Sequence, residues 1–140
     1  MSPITVSPEA AKENIARLVA RFQGLGAASH KLNEANTKKD YLEPLFGYLG
    51  WDVLDSSEVA AEERASGGGV DYAFKLHGVS QFYVEVKPPR ADLGKPEYAK
   101  QAITYAYNKG ITWAVLTDFE GLQVFNAQTG RLFLNLSCQD

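Results

Sequence analysis

The sequence predicts an α/β protein, a mixed sheet with helices packed on it. Three observations predict this. Two segments near the N-terminus and one at 96–108 carry the apolar spacing of helices. Six short apolar segments lie between turn-forming residues, as strands do. One of these, 112–117, has Trp-Ala-Val-Leu at its centre without a polar break, the pattern of a strand covered on both faces. Together they order the chain α-α-β-β-β-α-β-β-β.

Each element has its own justification. Ser7 is a good N-cap, Pro8 suits the first helical position and Glu9 favours the first turn. Ile15, Leu18, Val19 and Phe22 then recur at helical spacing, and Gly24 and Gly26 end the helix. A second helix carries Leu42, Leu45, Phe46 and Leu49 as its stripe. Thr37 and Asp40 resemble a capping box, Pro44 predicts a kink or a late start, and Gly50 a stop. A short strand is expected at 51–54. Residues 55–69, ending in Ser66-Gly67-Gly68-Gly69, are expected to form a surface loop, with a strand extension near Val59. Segments 70–76 and 81–87 flank His77-Gly78-Val79-Ser80 as a hairpin. Pro88 and Pro89 stop its second strand. After the helix at 96–108, Gly110, Gly121 and Gly130 separate three strands, at 112–117, 122–126 and 132–136.

With 140 residues and 15.4 kDa, the chain is one domain's worth. We divide it into an N-terminal helical part (1–30), a core (31–126) and a C-terminal strand and tail (127–140). Its 45% hydrophobic and 22% charged residues exclude a disordered chain. No apolar run approaches the roughly 20 residues of a membrane span, and residues 1–5 carry no secretion signal. The single cysteine, Cys138, fits a reducing cytosol, so a cytoplasmic location is expected. Net charge is −3, which argues against a bulk nucleic-acid binder. No His/Cys spacing suggests zinc. The glycine run lacks the Lys-Ser/Thr of a phosphate loop, and there is no Ser/His/Asp or nucleophilic Cys arrangement.

The chemistry lies in Tyr83-Val84-Glu85-Val86-Lys87. Strand side chains alternate, so Phe82, Val84 and Val86 should face the core, with Tyr83, Glu85 and Lys87 opposite. Charges on a central strand are costly unless they are paired or hold a metal. Asp71 lies one hairpin upstream, with thirteen residues between it and Glu85. Two carboxylates on adjacent strands can share a divalent cation, and a nearby lysine can orient or deprotonate a water. An E-x-K triplet alone is usually a solvated ion pair, so register decides. A simple turn centred on Gly78-Val79 sets Asp71 opposite Val86, on the wrong face. An odd loop or a bulge near the glycines sets it on the face of Glu85 and Lys87, and one of these is expected.

Asp71, Glu85-Val86-Lys87 and a helix bearing Gln101-Ala102-Ile103-Thr104-Tyr105 together resemble the PD-(D/E)xK nuclease superfamily. Asn33-Glu34-Ala35-Asn36-Thr37, Leu49-Gly50-Trp51-Asp52-Val53, Val70-Asp71-Tyr72-Ala73 and Leu116-Thr117-Asp118-Phe119-Glu120 extend the resemblance over roughly residues 30–126. They are similar to the N-terminal cleavage domain of type IIG restriction–modification enzymes and type I R subunits. Two features depart from the pattern: Asp71 follows Val70 rather than proline, and Pro88 stands where a second lysine is common.

The resemblance implies a restriction-endonuclease-like core, α-β-β-β-α-β, with an extra N-terminal helix and C-terminal strands. It implies Mg²⁺, or Mn²⁺ in its place, held by Asp71, Glu85 and the Val86 carbonyl, with Glu34 as a further acidic residue. Lys87 would orient the attacking water. Gln101 and Tyr105, four apart on one helix face, would support the site or touch the DNA backbone. Arg90, Lys95, Lys100 and Lys38 are the candidate DNA contacts, although for Lys38 a solvated helix face is the more ordinary reading. The implied activity is Mg²⁺-dependent cleavage of double-stranded DNA in a restriction–modification system. It would call on a methyltransferase, translocase or target-recognition partner or domain, and on transient dimerisation to cut both strands. Two alternatives stand beside it. One is a non-catalytic nucleic-acid or protein-binding module on the same scaffold; the other is a RecB-like exonuclease or junction resolvase.

Overall fold

A computed structural model describes residues 7–65 and 68–138. The expectations for residues 1–5, and for Ser66 and Gly67 of the glycine loop, lie outside the described residues. Helix α1 (Pro8–Gln23) starts at the expected cap: Ser7 Oγ accepts the Ala10 amide at 3.1 Å. Its buried Leu18 and Phe22 face the sheet side of the molecule.

The second helical region departs from its expected form. After a 3-10 turn (Gly26–Lys31) it runs as α2 (Glu34–Thr37), a π-helical turn (Lys38–Leu42) and α3 (Glu43–Tyr48). The cap is Asn33, whose side chain accepts the Asn36 amide at 2.7 Å. Thr37 and Asp40 therefore form no capping box. Thr37 is fully buried and donates to the Asn33 carbonyl at 2.7 Å. The anticipated irregularity at Pro44 takes the form of the π turn just before it. Pro44 has no amide for the Asp40 carbonyl, and the Arg21 guanidinium serves that carbonyl instead.

Residues 51–54 form turns rather than a strand, because side-chain oxygens capture the amides a strand would need. Glu58 accepts from the Asp52 amide at 2.8 Å, and Asp52 accepts from Leu54 at 3.1 Å. The first strand comes later, as β1 (Val59–Ala65), inside the stretch expected to be mostly loop. Then follow β2 (Gly68–Leu76), β3 (Val79–Val86), α4 (Pro96–Asn108), β4 (Trp113–Thr117), β5 (Gly121–Asn126) and β6 (Arg131–Ser137).

The six strands form one sheet in chain order. Only β3 and β4 run parallel, and α4 makes the crossover between them. On one face α1 and α3 bury Tyr72, Phe74, Val84, Val86 and Val115. Fully buried Phe74 stacks on Phe82 at 4.6 Å and meets Phe46 at 4.5 Å. On the other face α4 packs Ala102, Tyr105 and Ala106 on Ala73, Tyr83 and Ala114. No helix among the described residues is long and apolar enough to cross a membrane.

Candidate active site

The site begins with the β2–β3 register. A two-residue turn at His77-Gly78 pairs Leu76 with Val79 and Lys75 with Ser80. Continued without interruption, that register would set Asp71 against Val84, on the opposite face from Glu85. The ladder instead shifts between Phe74 and Lys75, leaving Gln81 as the extra residue. Beyond it Phe74 pairs with Phe82 and Tyr72 with Val84, which carries Asp71 to the position across from Glu85. The expected bulge is therefore present, and it sets Asp71 close enough to Glu85 to raise the Glu85 carboxyl.

Where the β2–β3 ladder ends, the Asp71 side chain takes over its role. Its Oδ2 accepts the Val86 amide at 2.6 Å. Its Oδ1 holds the Lys38 ammonium at 2.6 Å, and the same ammonium lies 3.7 Å from Glu34. Lys87 lies 3.5 Å from Glu85 Oε2, and its ammonium sits over the Tyr98 ring at 4.6 Å. Five charged groups thus converge: Asp71, Glu85, Lys87 and Glu34, named from sequence as site residues, and Lys38, expected instead at a phosphate or in solvent.

Glu85 is only 9% exposed. Burial pushes its carboxyl up to about 7, and the bonded, charged Asp71 adds to the effect against the opposing pull of Lys87. Burial is also the largest influence on Lys38 and acts to lower its ammonium; the bond to Asp71 and the surrounding carboxylates outweigh it and raise the group overall. One of those carboxylates, Glu62, interrupts the β1–β2 pairing opposite Asp71, with a φ of 54° that non-glycine residues seldom adopt.

The other expected site residues are placed elsewhere. Gln101 is exposed. Tyr105 is buried in the α4-side core, where its ring meets Tyr83 at 5.2 Å and its hydroxyl donates to Glu63 at 3.3 Å. Arg90, Lys95 and Lys100 are exposed, Lys95 with its ammonium 5.9 Å from the Tyr98 ring centre. Lys38 is turned inward onto carboxylates instead, with its side chain 15% exposed. Sequence reasoning missed Tyr98 as the seat of Lys87 and Lys38 as the counter-charge of Asp71. The presence of Lys38 beside Glu34 was visible, its direction was not.

The donor chemistry suits a hard cation. Mg²⁺ typically uses one or two carboxylates and completes its shell with water and phosphate oxygens. A carboxylate pair in which burial already penalises the charge of Glu85 is relieved by such an ion. Among the described residues no three of His, Cys, Asp and Glu converge as a ready metal cage, so the carboxylate pair is the donor set on offer.

No family model matches the chain. Over 131 residues it is 28% identical to the type II restriction enzyme and methyltransferase RM.Eco57I of Escherichia coli, an alignment covering 82% of this chain and 13% of that protein. Its fold matches a fragment described as the HsdR subunit of a type I restriction enzyme from Vibrio vulnificus YJ016. That match has a TM-score of 0.60 at 24% identity and covers 76% of this chain and 23% of the other. The chain thus spans less than a quarter of either protein. The restriction-endonuclease-like fold expected from the resemblance is the observed one, and the homologues are restriction enzymes.

Proposed function

We propose that this nuclease-like domain, related to restriction–modification enzymes, hydrolyses phosphodiester bonds of double-stranded DNA with Mg²⁺, and that Mn²⁺ can substitute. The observation that carries the reading is the bulge-set register. It spends an extra residue to bring two carboxylates together beside a lysine, where burial makes the charge of Glu85 costly. Asp71 and Glu85 would hold the cation, with the Val86 carbonyl as a further ligand. When bound, Mg²⁺ supplies a more acidic water and stabilises charge on the phosphate. Lys87, steadied by Tyr98, orients the water and offsets the charge developing at phosphorus. Glu34 lies at the edge of the cluster; Gln101, exposed on α4, is left to the DNA backbone, and Tyr105 to packing α4 on the sheet. Arg90, Lys95 and Lys100 meet the DNA backbone.

With a net charge of −3, the domain alone binds DNA weakly. Methylation, translocation or target recognition belongs to other domains or partner chains, and a second copy serves the second strand. One observation favours the non-catalytic reading: both Asp71 oxygens already have partners in Lys38 and the Val86 amide. Plasmid nicking separates the two. Wild type with Mg²⁺ should nick supercoiled DNA, and Asp71→Ala and Lys87→Ala should each lower the rate by about 100-fold or more. No metal-dependent nicking at high protein concentration supports the binding module, and nicking unchanged in both variants removes this site.

A further inference from the structure

We propose that Lys38 is the resident counter-ion of the metal-free site, and that a divalent cation binds only by displacing it. The inference rests on the metal-site reading above. The Lys38 ammonium is 2.6 Å from Asp71 Oδ1 and 3.7 Å from Glu34, with most of its side chain out of water. It occupies the lone-pair side of the carboxylate that a metal would use, since the other oxygen is committed to the Val86 amide at 2.6 Å. A cation at about 2.1 Å from the same oxygen would lie only about 4 Å from the ammonium or closer, where like-charge repulsion disfavours holding both. Lysine suits this task, because a point charge on a flexible four-carbon stem can leave without disturbing the backbone. Its backbone lies in the π turn just before Pro44, a break in helical regularity of the kind found at functional sites. Without Lys38, Asp71 and Glu34 would lose the ammonium between them, leaving Lys87 on Glu85 as the positive charge of the pair. With it, the site stays assembled until a cation arrives, and the exchange weakens metal affinity.

Calorimetric titration with Mn²⁺, in the absence of DNA, tests this. Lys38→Met and Lys38→Gln, checked for fold by circular dichroism, should bind Mn²⁺ about tenfold more tightly than wild type. Lys38→Arg, which keeps the charge, should stay near the wild-type value. Equal or weaker binding by the folded neutral variants overturns the inference and leaves the metal site standing. Absence of binding in wild type and variants alike removes both. A measurement without substitution backs this up: the ¹⁵N signal of the Lys38 ammonium should move on Mg²⁺ saturation while that of exposed Lys39 does not. An unmoved Lys38 signal at saturation also overturns it.

Discussion

Replacing Glu85 with glutamine should stabilise the metal-free domain while removing its metal site. The carboxyl is raised from 4.5 to about 7, mostly by burial, and is 9% exposed. Between those values the folded state keeps a proton that the unfolded chain has lost. Stability therefore falls as pH rises from about 4.5 to 7 and stays low above it. At about 1.4 kcal/mol per pH unit, the ionised group costs the fold about 3 kcal/mol above pH 7. Glutamine has nearly the same shape, carries no charge and has an amide N–H that can donate towards Asp71. Urea unfolding at pH 8 should show Glu85→Gln more stable by up to about 3 kcal/mol, with a melting temperature higher by roughly 10 °C. At pH 4.5 the difference should nearly vanish. Saturating Mg²⁺ should stabilise wild type and leave the variant unchanged. A variant no more stable than wild type at pH 8 would refute the premise that two carboxyls are crowded in this site.

Two further perturbations probe the frame around it. Phe74→Ala, at a fully buried ring stacked on Phe82, should cost about 3–5 kcal/mol in urea unfolding; a loss under 1 kcal/mol would mean that this core is loosely packed. Deleting Gln81 removes the bulge but preserves the pairing from Phe74–Phe82 onward, so Mn²⁺ affinity should stay within about threefold of wild type. A folded deletion variant that no longer binds Mn²⁺ would show that the bulge's own geometry, rather than the register it sets, makes the site.

The parts of the fold legible in sequence were those set by local chemistry. Ser7 and Pro8 marked the start of α1, and Pro96 and Gly110 bracketed α4. The parity of residues between Asp71 and Glu85 required an irregular hairpin, and the irregularity falls at Gln81. What stayed hidden depended on tertiary partners. Strand β1 reads VAAEERA, poor in β-formers, because it is the sheet's edge and packs one large apolar side chain, Val59. Trp51-Asp52-Val53-Leu54 has strand-like residues, but Asp52 and Glu58 bond its amides into turns. The inward direction of Lys38 and the seat of Lys87 on Tyr98 follow from how α2 and α4 lie on the sheet, and no spacing rule carries that information.

The central claim is that Asp71 and Glu85 form a metal-binding pair. Anomalous diffraction from crystals soaked in Mn²⁺ tests it most directly. One strong peak is expected between the two carboxylates, with the Lys38 ammonium withdrawn from Asp71. Saturating Mn²⁺ with no peak there, and Lys38 still on Asp71, would contradict it.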